Sequence, residues 1–115
     1  MSRDDRVRMR HMLDAAREAC GFATGKRRVD LNQDRQLVLS LVKCVEIIGE
    51  AASRVSVSTQ SRCPEIPWPD IVGMRNRLIH VYFDIDLDRV WDTVVDDLPS
   101  LIVDLEKIVS STEEG

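Results

Sequence analysis

The chain has 115 residues, of which 43% are hydrophobic and 31% are charged. This length suits one domain with a modest core, so we expect a single domain over residues 1–115. The formal net charge of −4 argues against a surface that coats nucleic acid broadly, because such surfaces are basic. No apolar run reaches the roughly 18 residues that a membrane span needs, and the charged residues 2–6 are not typical of a signal peptide. We therefore expect a cytoplasmic protein with no membrane contact.

Three cysteines, Cys20, Cys44 and Cys63, are widely spaced and form no Cys-x-x-Cys pair. This spacing disfavours a zinc site, and we predict neither a metal nor a cofactor. Cys20 and Cys44 fall on the apolar sides of predicted helices, where a free thiol behaves as a small hydrophobe. Free thiols are typical of a reducing compartment such as the cytoplasm.

Apolar residues recur at three- and four-residue steps in four segments, and this period predicts amphipathic helices. The first predicted helix covers about residues 3–21. Its apolar stripe runs from Met9 to Cys20, and His11 lies on the opposite side. We therefore expect His11 to be a surface residue.

The second predicted helix begins between residues 30 and 34 and ends near residue 57. Asp30 and Asn32 are its candidate N-caps, since short polar side chains can accept a hydrogen bond from the first turn. Gly49 lies in the middle of this helix, where glycine costs stability. Its presence indicates that a neighbouring backbone passes close to the helix.

The second half of the chain contains two further predicted helices. Three prolines within residues 64–69 mark a loop before a third helix over residues 68–82. The last apolar stripe covers residues 87–109, but Pro99 lies inside it and predicts a kink or break just before it. The chain should fray over residues 110–115. Such helices pack best as an all-α, up-and-down bundle of four to five helices.

Residues 75–82, Arg-Asn-Arg-Leu-Ile-His-Val-Tyr, carry the chemistry of the chain. His80 can donate or accept a proton near neutral pH. Arg75 presents a forked cation that suits phosphate oxygens, and Asn76 can bind the phosphate or orient His80. RNA supplies its own nucleophile, the 2′-hydroxyl, so a proton-transfer group and a cation form a minimal set for cleavage without a metal.

The helical geometry of this motif leaves the arrangement of the site open. Five residues separate Arg75 from His80, which places them about 140° apart around an ideal helix, whereas Asn76 and His80 share a face. The arginine bends round, the helix loosens at its end, or a second subunit completes the site. The third arrangement predicts a symmetric homodimer with the two motif helices near its axis.

Each of these residues also has a plain structural interpretation. Arg75, Asn76 and Arg77 could form a solvated helix face, with His80 as a helix cap. Glu46 and Glu50 lie one turn apart on the predicted second helix. They either pair with Arg75 or Arg77 and fix their orientation, or they form a solvated acidic pair.

Four segments resemble the HepT-like toxins of the HEPN ribonuclease superfamily. Residues 75–82 match the signature of Arg, any four residues, His, any one residue and Tyr. Residues 45–52 resemble the Glu-Ile-Ile-Gly-Glu-Ala run of the family's second helix. Residues 66–76, which begin Ile-Pro-Trp, are highly characteristic, and the segment 90–101 completes the pattern. No motif position departs from it.

The resemblance implies a HEPN-like homodimer that cleaves RNA without a metal, with Arg75 and His80 as catalytic residues. It also implies the toxin of a prokaryotic toxin–antitoxin pair of type VII-like organisation. The implied partner is an MntA-like minimal nucleotidyltransferase, an antitoxin that transfers AMP from ATP to the motif tyrosine, here Tyr82. A bulky anion there would block the cleft and repel RNA. The competing hypothesis is a non-catalytic helical module that binds a nucleotidyltransferase or a nucleotide.

Overall fold

The computed structural model describes residues 1–80 and 84–114, with side chains to residue 111. The described residues form an all-α bundle, which confirms the predicted fold class. Its seven α-helices are α1 (Arg3–Ala23), α2 (Arg35–Ser53), α3 (Val57–Arg62), α4 (Trp68–Val72), α5 (Met74–Leu78), α6 (Leu87–Asp92) and α7 (Leu98–Glu114). The count exceeds the predicted four to five because the third and fourth expected helices are each divided in two, and the short helix α3 lies between the second and the third.

Helix α1 packs against both α2 and α7, and these three long helices surround the core. Ser2 caps α1, since its hydroxyl accepts a hydrogen bond from the Asp5 backbone N–H at 3.1 Å. The buried stripe includes Met9, Met12 and Leu13. His11 is exposed on the other side, as predicted.

The start and end of the second helix differ from the prediction. Asp34 is the N-cap of α2, because its carboxylate accepts from the Leu37 N–H at 3.0 Å. Asp30 instead accepts from the Arg27 N–H at 2.7 Å, in a 3₁₀ turn over Arg28–Asn32 that precedes α2. The helix ends at Ser53, and a separate α3 follows after its own cap, Ser56.

Gly49 fulfils the prediction of a close backbone approach. A Cβ at this position would lie 3.4 Å from the carbonyl oxygens of both Ile71 and Val72. The end of α4 therefore crosses α2 at Gly49, where α2 has no side chain to keep the two backbones apart. This crossing sets the position of α5, which follows directly.

The predicted third helix over residues 68–82 is wrong in its second half. It is divided into α4 and α5 at Gly73, and α5 ends at Leu78. Ile79 is extended, with φ −122° and ψ 122°, and forms an isolated antiparallel bridge with Ile85. His80 therefore lies beyond the helix, and the argument that Asn76 and His80 share a helical face does not apply.

The break predicted before Pro99 is confirmed. Residues Thr93–Asp97 form a π-helical turn between α6 and α7. Proline has no N–H, and its ring clashes with the carbonyl four residues earlier, here that of Val95. A π-helical turn commonly accommodates the missing hydrogen bond and the steric clash that a proline introduces into a helix.

Buried side chains from all parts of the described chain form one core. The three cysteines are free, and Cys44 and Cys63 are buried whereas Cys20 is half-buried. Trp68 is buried and donates its indole N–H to the Cys63 carbonyl at 3.1 Å. Among the helices that the structure describes, none combines the length and apolar character that crossing a bilayer requires.

Candidate functional site

Arg75 is held against helix α2 by an ion pair. Its Nε donates to Glu46 Oε1 at 3.1 Å, and Glu46 also lies 3.9 Å from the Lys43 ammonium. This contact agrees with one of the two interpretations of Glu46 from the sequence. The Arg75 side chain is 42% exposed, so the guanidinium is accessible from solvent.

His80 is held by a short loop. Its backbone N–H donates to the Asp84 carbonyl, and the Asp86 N–H donates to the Leu78 carbonyl, both at 2.7 Å. The imidazole Nε2 lies 3.3 Å from Asp86 Oδ2, and the side chain is 57% exposed. With a proton on Nε2, the ring donates to a fixed carboxylate and remains open to a substrate.

Asp86 is fixed from both sides. Its Oδ1 accepts from the Arg89 N–H at 3.0 Å and caps α6, while Oδ2 faces His80. The hydrogen bond from the Arg89 N–H has the largest effect and lowers the pKa of the Asp86 carboxyl; desolvation, the next in size, opposes it, and the His80 ring lowers the pKa further. Asp86 is therefore a carboxylate at neutral pH and can orient the imidazole.

The structure brings some predicted site residues together and separates others. Arg75 and Asn76 line the same cleft. Arg77 faces elsewhere and pairs with Asp70 at 3.1 Å, and Glu50 pairs with neither motif arginine but with Arg54 at 2.8 Å. Among the described residues, no hydrogen bond or ion pair joins the Arg75 side chain to His80.

Tyr82, the predicted site of AMP transfer, lies outside the described residues. The residues on either side of that segment, His80 and Asp84, are joined by their backbone hydrogen bond. Within the described part of the chain, no group of three or more His, Cys, Asp or Glu side chains could hold a metal ion.

A cleft of about 600 Å³ opens beside Arg75, between α1, α2 and the α4–α5 segment. Its charged and polar lining side chains include Arg8, His11, Lys43, Glu50, Arg54 and Asn76. The positive charge of this lining contrasts with the net negative charge of the chain. An anionic ligand such as a phosphodiester suits it.

Sequence reasoning missed two parts of this surface. Asp86 was counted only as one of many acids, although its place directly before an apolar helix is typical of an N-cap. His11 and Arg8 lie three residues apart on one side of α1, but nothing in the first 25 residues indicates that this side faces Arg75. Only the packing of α1 on α2 makes that clear.

Comparison with known proteins identifies the family. A family model described as "Ribonuclease HepT-like" matches residues 12–108. A Methanocaldococcus jannaschii protein named "Putative RNase MJ1216" is 28% identical over 111 residues, 96% of this chain and 92% of the relative. A Thermococcus cleftensis protein named "Probable ribonuclease HepT" is 39% identical over 75 residues, 65% of this chain and 68% of the relative.

A third relative, "Putative RNase TTE0752" of Caldanaerobacter subterraneus subsp. tengcongensis, is 32% identical over 80 residues, 70% of this chain and 71% of the relative. No solved structure matches the chain. Because the family model covers most of the chain, including all of α2 and the described part of the Arg75–His80 motif, the chain belongs to the HepT-like ribonuclease family.

Proposed function

We propose that this protein is a metal-independent endoribonuclease, with Arg75 and His80 as its catalytic residues. The observation that carries the proposal is the pairing of each residue with its own carboxylate, His80 with Asp86 at 3.3 Å and Arg75 with Glu46 at 3.1 Å. Both side chains are oriented yet remain open to solvent. Membership in a ribonuclease family supports RNA as the substrate.

The reaction needs no group beyond these side chains and the RNA. The 2′-oxygen attacks the adjacent phosphorus, the bond to the 5′-oxygen breaks, and the products are a 2′,3′-cyclic phosphate and a 5′-hydroxyl. His80 either removes the proton of the 2′-hydroxyl or protonates the leaving 5′-oxygen, and solvent water exchanges the other proton. Arg75 stabilises the charge on the phosphoryl oxygens, and Asn76 adds a hydrogen-bond donor beside it.

The separate partners of Arg75 and His80 favour a site that is completed by a second subunit. Within one chain the arginine is held against α2 and the histidine against the start of α6. In a symmetric homodimer, each site takes Arg75 from one subunit and His80 from the other. In such a dimer, Glu46 would orient Arg75 and Asp86 would orient His80 toward the interface between the subunits.

The biological role that we propose is that of the toxin of a toxin–antitoxin pair, acting on cytoplasmic RNA. A nucleotidyltransferase antitoxin would inactivate it at Tyr82, two residues after His80. The tyrosine oxygen attacks the α-phosphorus of ATP, forms a phosphodiester with AMP, and releases pyrophosphate, while the phenolic proton leaves to solvent. The added anion repels RNA phosphate from the neighbouring His80.

Cleavage of purified tRNA in the presence of EDTA tests the proposed activity. We expect the wild-type protein to cleave and His80→Ala and Arg75→Ala each to lose at least about a hundredfold in rate, the usual contribution of an acid–base or charge-stabilising group. Arg17→Gln is the matched control, since Arg17 pairs with Glu106 on α7, away from the motif. It should retain the wild-type rate.

Intact mass decides how an inactive preparation is interpreted. A mass increase of one AMP that disappears in Tyr82→Phe supports modification at this tyrosine, and the unmodified fraction should then cleave RNA. If the unmodified protein leaves tRNA intact, the ribonuclease proposal fails. Tight binding of a nucleotidyltransferase that His80→Ala does not weaken would then favour the non-catalytic binding module.

A further inference from the structure

One wall of the cleft beside Arg75, formed by helix α1, has no role in the proposed reaction. Arg8 and His11 lie three residues apart on α1, so both project from the same side of this helix. They line the cleft together with Arg75 and Asn76 of α5. The chain has only two histidines, and one of them is thus in the same cleft as the motif arginine.

The basic side chain on the α1 wall of the cleft is not neutralised by an acidic residue of the cleft. Both acidic lining residues already have basic partners: Glu46 binds Arg75 at 3.1 Å, and Glu50 binds Arg54 at 2.8 Å. The side chains of Arg8 and His11 make no hydrogen bond or ion pair with any described residue. An excess of positive charge therefore remains on the α1 side of the cleft.

The shape of the cleft suits one segment of an extended ligand. Its volume of about 600 Å³ falls in the range of sites that enclose a small organic molecule. Gly49 and Ala51 contribute to its lining, and neither has a side chain long enough to fill it. A nucleotide whose phosphate reaches the α1 wall can enter while the next phosphate lies at Arg75.

We propose that Arg8 and His11 bind an RNA phosphate adjacent to the one that Arg75 contacts, and that this cleft holds the nucleotide between them. The inference rests on the proposed ribonuclease function for the identity of the ligand. Arg8 provides a permanent charge. His11 provides a ring N–H that can donate a hydrogen bond to a phosphate oxygen.

Binding of a fluorescent single-stranded RNA in the His80→Ala background tests this proposal without cleavage. His11 is the only histidine that remains in that variant. The charged groups of the cleft are Arg8, Lys43, Glu46, Glu50, Arg54 and Arg75. We expect His80→Ala/His11→Gln to bind the RNA about two- to fivefold more weakly than its parent, because a flexible amide replaces the imidazole N–H.

Arg8→Gln in the same background should weaken RNA binding by about fivefold, the effect of one exposed charge contact. It should also reduce the slope of log affinity against log salt by about 0.7, the value for one phosphate contact on a single strand. Arg17→Gln, from the same helix but with its partner Glu106 on α7, is the control and should change neither quantity. Thermal unfolding of each variant checks that the fold is intact.

The outcomes separate this proposal from the ribonuclease function. If the wild-type protein cleaves RNA but Arg8→Gln and His11→Gln bind it as tightly as their parent, the cleft proposal is overturned and the function stands. If the wild-type protein does not cleave but binding depends on Arg8 and His11, the cleft binds RNA and the ribonuclease function fails. Absence of RNA binding by the folded His80→Ala variant also overturns the cleft proposal.

Discussion

Two carboxylates hold the two motif residues in place, and the sequence indicated only one of them. Glu46 was a candidate partner for Arg75 because it lies on a predicted helix one turn from Glu50. Asp86 was not considered as a partner of His80, since the motif was expected to be helical to residue 82. The bridge between Ile79 and Ile85 brings His80 and Asp86 together although they lie six residues apart in the chain.

Asp86→Asn tests whether this carboxylate positions the histidine. The amide oxygen can still accept the Arg89 N–H and cap α6, so the fold should be preserved. Without the negative charge the imidazole is held less firmly, and we expect kcat to fall by about tenfold while KM changes little. Steady-state cleavage of a short RNA measures both constants.

Asp88→Asn provides the matched control for Asp86. This side chain is two residues further along, and its partner is Arg28 rather than His80. The Asp88→Asn variant should retain the wild-type kcat and KM. A kcat for Asp86→Asn equal to that of Asp88→Asn would show that Asp86 has no role beyond capping α6.

At the scale of elements, the positions of apolar residues predicted the long helices well and their ends poorly. The stripes of α1, α2 and α7 depend only on the helical period, which the sequence displays directly. The ends depend on competing hydrogen bonds. Asp34 rather than Asp30 caps α2, and backbone hydrogen bonds that join Leu78 to Asp86 and His80 to Asp84 accompany the early end of α5. Such pairings join residues that helical periodicity does not relate.

Asp5 joins the start of α1 to the start of α3. Its carboxylate is 5% exposed and accepts from the Ser56 N–H at 3.0 Å, the Ser56 hydroxyl at 2.6 Å and the Thr59 hydroxyl at 2.6 Å. Burial alone would raise the pKa of Asp5, but these hydrogen bonds outweigh it and hold the pKa below its ordinary value. No pattern in the sequence indicates this contact, which spans 51 residues.

Asp5→Ala should lower the free energy of unfolding at neutral pH by about 2–3 kcal/mol, because three donors lose a charged acceptor. A carboxyl whose pKa is lowered by folding stabilises the protein above its unfolded pKa, and this stabilisation disappears as the pH falls through the folded pKa. The difference from wild type should therefore narrow only below about pH 4. Urea unfolding at a series of pH values measures it.

Asp4→Ala is the control for Asp5, since Asp4 is exposed in the same first turn of α1. Asp4→Ala should lower the free energy of unfolding by less than about 1 kcal/mol, the effect of one charge on the helix dipole. Equal losses for the two variants would mean that the buried hydrogen bonds of Asp5 add nothing to stability.

The crossing of α4 over Gly49 is a second prediction at this scale. Alanine places a Cβ 3.4 Å from two carbonyl oxygens, so the helix propensity gained by Gly49→Ala is offset in part and stability should change by less than about 1 kcal/mol. Gly49→Val places two further methyl groups near α4 and should lower the free energy of unfolding by about 2 kcal/mol.

Gly21 on α1 is the reference position for these substitutions, because nothing lies within 4 Å of a Cβ there. Gly21→Ala should stabilise the protein by up to about 1 kcal/mol, and Gly21→Val should not destabilise it. Thermal unfolding of the four variants gives the comparison. A Gly49→Val variant as stable as Gly21→Val would contradict the close approach of α4.

At the scale of the whole molecule, a chain with net charge −4 presents a locally basic cleft beside the motif arginine. The motif could be found from the sequence because one of the chain's two histidines and its one tyrosine lie close to Arg75 and Asn76. The cleft could not, since it depends on how α1 packs against α2. Arg75 and His80 are held by different partners, Glu46 and Asp86, and for that reason we propose that each active site lies between two subunits.

Activity of mixed dimers tests this account most directly. Arg75→Ala and His80→Ala proteins are each inactive alone, and we co-express them in equal amounts with separate tags and measure tRNA cleavage in EDTA. If each site takes Arg75 from one subunit and His80 from the other, half of the dimers are mixed and each has one intact site. The mixture should then recover about one quarter of the wild-type activity. If the mixed dimers form but the mixture remains as inactive as its parents, a site shared between subunits is contradicted.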